Sequence, residues 1–146
     1  MATATEETSV TIVRKIKASP RAIWRALTHP DALKQWMAPS DDFEVIVAET
    51  DVRGGGRYHI VVKSSDGEKH EVSGVYREVW VHQKLVHTWV WKSRPERESL
   101  VTVELTPAGD GTEFLLRHEQ FADKDVRDRH ERAWTRCVRR LARLLA

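Results

Sequence analysis

Two histidines carry the side chains best suited to chemistry in this sequence. His118 ends an alternating apolar run, and His130 falls on an apolar stripe at helical spacing, so both are predicted to face inward. An imidazole that both donates and accepts hydrogen bonds could orient a ligand carboxylate or transfer a proton. No carboxylate or nucleophile is spaced to form a triad with either one. The alternative is that both are core histidines with satisfied hydrogen bonds.

Six tryptophans are the other unusual feature of the 146-residue sequence. Trp89 and Trp91 point to the same face of a predicted strand, and Trp134 falls at helical spacing from His130. Together with Phe114 they predict a mostly apolar pocket with a few polar groups, as is typical of small-molecule sites. The alternative is simple core packing, because tryptophans at such spacing pack more often than they bind. The candidate cavity residues are Trp36, Tyr58, Trp89, Trp91, Phe114, Leu116, His118, His130, Trp134 and Cys137.

Metal, phosphate and thiol chemistry are not predicted. After His130 the sequence lacks the second histidine that would place two zinc ligands on one helix face. The three glycines at 54–56 lack the lysine and hydroxyl residue of a phosphate loop and precede a strand, which indicates a bend or bulge. The lone Cys137 cannot form an internal disulfide or a thiolate cage. We therefore predict no catalytic residue, no metal and no cofactor.

The spacing of apolar residues predicts the elements that must position these side chains. A strand at 10–17 is followed by two short helices, the first with a Ser19–Pro20 N-terminus and the second stopped by Pro39. Residues 43–120 are rich in Val, Thr, Tyr and Trp and contain glycine-bearing turns. The six strands predicted there are 43–51, 57–63, 69–79, 84–91, 99–107 and 112–120. The segment 123–146 has one apolar stripe and predicts a long amphipathic helix.

A seven-stranded antiparallel sheet has a face to bury, and the apolar stripe of the last helix is the natural cover for it. The sequence therefore predicts an α+β fold. Its length suits one domain, which we place at 9–146 after a flexible tail at 1–8.

The charge of the chain is unevenly distributed. The formal net charge is +2, too small to predict a nucleic-acid partner for the whole chain. Residues 124–146, however, carry a net charge of about +5 and leave about −3 for the remainder. The cations lie mainly opposite the apolar stripe, where they form either a solvated helix face or a surface for an acidic protein partner or a nucleic acid. The candidate partner-surface residues are Arg132, Arg136, Arg139, Arg140 and Arg143.

The compartment follows from composition. One cysteine fits a reducing environment, and no leader pattern or spanning apolar stretch is visible. We therefore predict a cytoplasmic protein without membrane insertion.

Several segments resemble a known family in their order and spacing. They are IKASPRAIWRALT at 16–28, Pro30 with Leu33, WMAP at 36–39, GGGRY at 54–58, Asp66-Gly67, GVYREV at 74–79, LVHTWVW at 85–91, VTVELT at 101–106, GTEFLLRH at 111–118, and His130 with Ala133-Trp134. This pattern resembles the START-like (SRPBCC, helix-grip) superfamily, and within it the bacterial relatives of the activator of the ninety-kilodalton heat-shock protein ATPase.

The resemblance implies a helix-grip fold, in which the long C-terminal helix lies across a curved sheet with a cavity between them. It also implies that histidine is typical at the positions of His118 and His130. One departure concerns the cavity, since relatives often have glycine where this chain has Ala133. Ligand size therefore does not transfer from the family to this chain.

Three functional hypotheses follow. The first is a non-enzymatic module that binds a small apolar or amphipathic molecule, such as a lipid, between sheet and helix. In it, Trp89, Trp134, Phe114 and Leu116 form walls, and His118 and His130 supply polar contacts. The second, implied by the family name, is a stress-response module that modulates a heat-shock chaperone ATPase. The third is a cavity-based enzyme of undefined reaction, and both a monomer and a homodimer are left open.

Overall fold

The strands and helices follow one another along the chain in the predicted order. The computed structural model of the protein describes residues 7–146. The strands are β1 (Ser9–Ile16), β2 (Phe43–Thr50), β3 (Arg57–Ser64), β4 (Lys69–Trp80), β5 (Lys84–Trp91), β6 (Glu98–Ala108) and β7 (Gly111–Glu119). The helices are α1 (Pro20–Thr28), α2 (Pro30–Trp36) and α3 (Lys124–Leu145). The predicted order of elements is therefore confirmed, and strand boundaries shift by only a residue or so.

These strands form one antiparallel sheet in the order β1-β7-β6-β5-β4-β3-β2. The register shifts between Val45 and Val47 on β2 and between Tyr76 and Glu78 on β4. Bulges of this kind bend a strand and increase its twist, so they help the sheet to curve. The predicted α+β fold with a seven-stranded curved sheet is confirmed.

The long helix α3 covers the concave face of the sheet. It buries Trp134, Cys137, Val138 and Leu141, which recur at the three- and four-residue spacing of one helical face. Phe114 of β7 is completely buried in the same core cluster. The amphipathic pattern of the sequence therefore decides which side of α3 meets the sheet.

Side chains cap the starts of α1 and α3, and the cap of α1 is the one that the Ser19–Pro20 pattern predicts. The Ser19 side chain accepts a hydrogen bond from the backbone N–H of Ala22 over 3.1 Å, and Pro20 occupies the first turn of α1. The Asp123 carboxylate accepts from the backbone N–H of Val126 over 3.0 Å and begins α3. These local contacts fix the residues at which the two helices begin.

The three glycines at 54–56 form the turn between β2 and β3, in keeping with the predicted bend. Gly55 has a φ of +86°, which favours glycine. At Gly56 an added Cβ would lie 1.9 Å from the Asp51 carbonyl oxygen. The turn therefore depends on glycine for two different reasons, and neither involves a phosphate.

Most of the predicted flexible tail at 1–8 lies outside the described residues, which begin at 7. Within them, the Thr8 carbonyl accepts a hydrogen bond from the backbone N–H of Phe121. No helix in residues 7–146 has the length and apolar composition needed to cross a membrane.

Candidate functional site

An apolar cavity of about 240 Å³, here called the inner cavity, lies between the sheet and α3. Its lining residues are Met37, Pro39, Phe43, Ile60, Val62, His70, Val72, Trp89, Trp91, His130, Ala133, Trp134 and Cys137. Most of these side chains are aliphatic or aromatic, so the cavity is suited to an apolar occupant.

Strand register and helix spacing together build the walls. Ile60 on β3 pairs with Val72 on β4, and Val72 pairs with Trp91 on β5. Paired residues share a face of the sheet, so these three form a row beneath the cavity. On α3, His130 and Trp134 are four residues apart and therefore face the sheet together.

His118 lies at the centre of a buried hydrogen-bond chain. The indole N–H of Trp134 donates to His118 Nδ1 over 2.9 Å, and His118 Nε2 lies 2.7 Å from the Ser99 hydroxyl oxygen. The Ser99 hydroxyl in turn donates to the Trp89 carbonyl over 3.2 Å. Because Nδ1 accepts, the proton of the neutral ring sits on Nε2 and is donated to Ser99. Both ring nitrogens are therefore engaged within the protein.

His130 is engaged in the same way, although it lines the inner cavity. The indole N–H of Trp91 donates to His130 Nε2 over 2.9 Å. His130 Nδ1 lies 2.8 Å from the Val126 carbonyl oxygen, to which it donates its proton. The sequence predicted polar contacts from His118 and His130 to a ligand, and the hydrogen bonds leave neither ring a free nitrogen for one.

Burial keeps both imidazoles neutral. It lowers the pKa of His118 well below its usual value, and the neighbouring His130 and His87 add to this effect. Burial likewise lowers the pKa of His130, while the bond to the Val126 carbonyl opposes the shift. A neutral ring is what each network requires, because a protonated nitrogen could not accept an indole N–H.

A third polar cluster, which the sequence analysis did not identify, lies around Tyr58. Its hydroxyl donates to the Thr88 carbonyl and lies 3.2 Å from His87 Nδ1. Burial raises the pKa of Tyr58 well above its usual range and lowers that of His87 to about 4. The partners lie 29 or more positions apart, so no local sequence signal could have revealed the cluster.

The indole N–H of Trp89 differs from those of Trp91 and Trp134. Trp89 lines the inner cavity and is 6% exposed. Its Nε1 is buried and has no hydrogen-bond partner among residues 7–146. A buried donor without an acceptor lowers the stability of the folded protein. This atom therefore differs from the neighbouring polar groups, which have hydrogen-bond partners.

Half of the predicted cavity residues lie on the cavity. Those that line it are Trp89, Trp91, His130, Trp134 and Cys137. Those that do not are Trp36, Tyr58, Phe114, Leu116 and His118, all of which are buried in the core. Trp36 packs in the helical layer and donates its indole N–H to the Ala26 carbonyl over 2.8 Å.

The sequence analysis did not identify the cavity-lining residues that lie on β3 and near the α2–β2 connection. Ile60 and Val62 show strand alternation that could have placed them on the same face as Trp89. Met37 and Pro39 belong to the α2–β2 connection and Phe43 begins β2, and the path of this connection over the cavity has no sequence signal.

A wider groove of about 970 Å³, here called the outer groove, adjoins the inner cavity. It is lined by the start of β4, the β5–β6 loop, the β7–α3 connection and the first turns of α3, and most of its lining residues are charged. It shares His70 and Trp91 with the inner cavity. These two residues therefore form the boundary between an apolar and a polar compartment.

The predicted cationic face of α3 is present with one exception. Arg132, Arg136, Arg139 and Arg143 are exposed on the outer side of the helix. Arg140 is instead partly buried, and its guanidinium lies 2.6 Å from the Asp41 carboxylate. This ion pair connects α3 to the α2–β2 connection, so Arg140 is less available to a partner than predicted.

Comparison with known proteins now identifies the family. Residues 17–146 match the sequence profile of the Activator of Hsp90 ATPase homolog 1-like protein family. The chain belongs to this family. That family agrees with the START-like resemblance of the sequence, and it supports a ligand-binding or co-chaperone-type module in general. No curated protein matches the chain.

Solved structures of other proteins share the family fold. A protein from Chromobacterium violaceum is 25% identical with a TM-score of 0.86, and the match covers 94% of this chain and 96% of that one. The AHSA1 protein from Silicibacter pomeroyi is 26% identical with a TM-score of 0.81, over 94% and 96% of the two chains. An AHSA1-like protein from Aeromonas hydrophila is 19% identical with a TM-score of 0.74, over 91% of each chain.

Proposed function

We propose that this protein is a non-enzymatic module that binds a small apolar or amphipathic molecule in the inner cavity. The observation that carries the proposal is the 240 Å³ apolar space between Trp89 and Trp91 on the sheet and Trp134 on α3. Large planar side chains around such a space provide dispersion contacts and exclude water.

The volume limits what can enter. An engineered apolar cavity of about 150 Å³ holds benzene, and typical ligand pockets start at about 300 Å³. The inner cavity therefore suits a molecule of about two fused rings. A longer amphipathic molecule would extend past His70 and Trp91 into the outer groove, where charged side chains suit a polar end.

The histidines support binding rather than catalysis. His118 and His130 are both neutral and use both nitrogens in internal hydrogen bonds. A general base needs a free acceptor near the substrate, and neither ring offers one.

The test is a binding measurement with naphthalene as the probe, beside native mass spectrometry for a co-purified molecule. Ala133→Phe places an aromatic ring in the cavity and should abolish naphthalene binding. Thr135→Phe adds the same ring on the exposed side of α3 and should leave the binding unchanged. Absence of naphthalene binding, or equal binding by Ala133→Phe, would contradict the proposal.

A second candidate function is an interaction module that modulates a heat-shock chaperone ATPase. It is supported by the family description and by the exposed arginines of α3. Charge reversal at Arg136 and Arg139 should weaken co-precipitation of the ninety-kilodalton chaperone and remove any stimulation of its ATPase. Charge reversal at Arg53 serves as the control. Arg53 lies in the β2–β3 turn, far from α3 in the sequence, and its guanidinium pairs with Asp51. No stimulation by the wild type would end this candidate.

A further inference from the structure

The outer face of α3 carries a row of arginines. Their spacing alternates between three and four positions, so the row keeps to one side of the helix. The buried residues Trp134, Cys137 and Leu141 occupy the opposite side. All five residues of the row are exposed. We call this set the arginine row, and its members are Arg129, Arg132, Arg136, Arg139 and Arg143.

The other two arginines of α3 are already paired with carboxylates. Arg127 binds Asp128 and Glu131, each over 3.0 Å, and Arg140 binds Asp41 over 2.6 Å. Glu131 is the single acidic residue in the sequence from 129 to 146. Among residues 7–146, no carboxylate lies within ion-pair distance of the arginine row. The row therefore presents unpaired guanidinium groups to a partner.

Acidic residues mark both ends of the row. Asp125 lies one helical turn before Arg129 on the same face. At the other end, the hydrogen bond from Arg140 lowers the pKa of Asp41, and the charge of Arg143 adds to this effect. The row is therefore a cationic surface of limited length.

The positive charge of the chain is confined to this helix. Residues 124–146 carry about +5, and the remainder carries about −3. Exposed charges act over about 8 Å at physiological salt, so a broad anionic surface placed against the row would also approach the acidic remainder. This distribution favours a narrow partner over a membrane or a nucleic-acid duplex.

Among narrow partners, the spacing of the row favours a helix. An α-helix rises about 1.5 Å per residue, so Arg129 and Arg143 lie about 21 Å apart along α3. Five carboxylates with the same alternating spacing on a second helix span that same length. On an extended strand, five carboxylates on one face would span about 27 Å and would lose their match with the arginines.

We propose that the arginine row binds an acidic helix whose carboxylates repeat at alternating spacings of three and four residues. Arginine suits this role better than lysine, because a guanidinium binds a carboxylate through two parallel N–H donors. The proposal is independent of the inner cavity and of its occupant. It also does not require that the partner be a chaperone, although the row includes Arg136 and Arg139.

The test uses two synthetic peptides of identical composition, rich in alanine and glutamine, each with five glutamates. The row-matched peptide has the alternating spacing, and the scattered peptide has glutamates five positions apart, which distributes them around the helix. Fluorescence anisotropy at about 0.05 M salt should show at least about threefold tighter binding of the row-matched peptide, because the scattered peptide forms fewer ion pairs. Equal affinities would overturn the inference.

Circular dichroism tests the helical form of the bound peptide. The row-matched peptide should gain helix on binding, because the arginines relieve the repulsion between its neighbouring glutamates. Binding without a gain in helix would mean that the peptide binds in another conformation, and would contradict the proposal.

The matched variants each replace two exposed arginines by glutamine, which also favours helix. Arg132→Gln with Arg139→Gln should weaken binding of the row-matched peptide about two- to twenty-five-fold, as expected for two exposed ion pairs. Arg21→Gln with Arg25→Gln removes the same charge from α1 and should change the affinity by less than about 1.5-fold. An equal loss in both variants would show that net charge alone attracts the peptide, and would overturn the inference.

Duplex DNA and vesicles that contain phosphatidylserine are the competing partners. At about 0.15 M salt, tighter binding of either one than of the row-matched peptide would overturn the choice of an acidic helix. If the row-matched peptide does not bind at all, the inference fails while the inner-cavity proposal stands, because naphthalene binding decides that proposal separately.

Discussion

The indole N–H of Trp134 on α3 donates to Nδ1 of His118 on β7 over 2.9 Å. This bond connects the long helix to the centre of the sheet through a polar contact in an apolar core. His118 is 0% exposed, so water cannot replace either partner. The position of α3, and with it the shape of the inner cavity, therefore depends on a neutral His118.

His118→Leu should lower the free energy of unfolding by about 2–4 kcal/mol, because it leaves the Trp134 donor buried without an acceptor. Trp134→Phe removes the donor, so the double variant should lose about 0.5–3 kcal/mol less than the sum of the single variants. Urea unfolding measures all three. Trp80→Phe, at an exposed tryptophan, should change stability by no more than about 0.5 kcal/mol. Strict additivity would contradict the predicted coupling.

Stability should fall as the solution is acidified below about pH 6.5, the ordinary histidine pKa. Burial lowers the folded-state pKa of His87 to about 4 and also lowers those of His118 and His130. In this window the unfolded chain binds more protons than the folded one, so each proton taken up favours unfolding. Urea unfolding between about pH 7.5 and about pH 5 should show the decline, and His118→Leu should reduce its slope.

His59 provides the opposite control for this pH dependence. A hydrogen bond with Glu71 raises the pKa of His59, so its protonation favours the folded state. His59→Gln should therefore make stability fall more steeply with acidification. A wild-type stability that is level or that increases towards pH 5 would contradict the assignment of the three neutral histidines.

Gly74→Ala should be strongly destabilising, by more than about 2 kcal/mol. A Cβ at Gly74 would lie 2.1 Å from the Thr88 carbonyl oxygen and 2.6 Å from Tyr58 Cε1. It would therefore press on the oxygen that accepts from the Tyr58 hydroxyl. Gly54→Ala is the matched control, since no atom in the described part of the chain lies within 4 Å of an added Cβ there. Thermal unfolding of the pair should separate them clearly, and similar melting temperatures would contradict the close packing at Gly74.

Cys137 should react slowly with iodoacetamide in the folded protein and rapidly in urea. Its thiol is buried, and burial raises its pKa to about 12, so little of the nucleophilic thiolate is present. The control is Arg136→Cys in a Cys137→Ala background, which places the only thiol on the exposed face of α3. That variant should be alkylated at least about tenfold faster. Equal rates would mean that the cavity opens readily to solvent.

Local sequence patterns account for the fold. The alternation on β7, the turn at Gly67, with a φ of +89°, and the Asp123 cap of α3 each involve neighbouring residues. Interactions over so few positions leave a readable period or a characteristic turn residue. The family resemblance then predicts how these elements pack, and the structure agrees with that prediction.

The candidate site could be predicted only in part, because its residues come from segments that are far apart in the sequence. Strand and helix faces placed Trp89, Trp91 and Trp134 around a common space. They could not place the α2–β2 connection, whose Met37 and Pro39 complete the cavity wall together with Phe43 at the start of β2. The Asp41–Arg140 ion pair associated with that connection joins residues 99 positions apart.

The sequence by itself determined the sheet, the covering helix and the inward direction of the key side chains, because periodicity is a local property of the chain. Only the tertiary structure decided which polar groups are free. His118 and His130 have the residue type of ligand-binding groups, yet tryptophans 16 and 39 positions away occupy their acceptor nitrogens. The same packing leaves the Trp89 indole N–H without an acceptor among residues 7–146. A hydrogen bond depends on distance and direction in space, so its presence or absence is settled when distant segments meet.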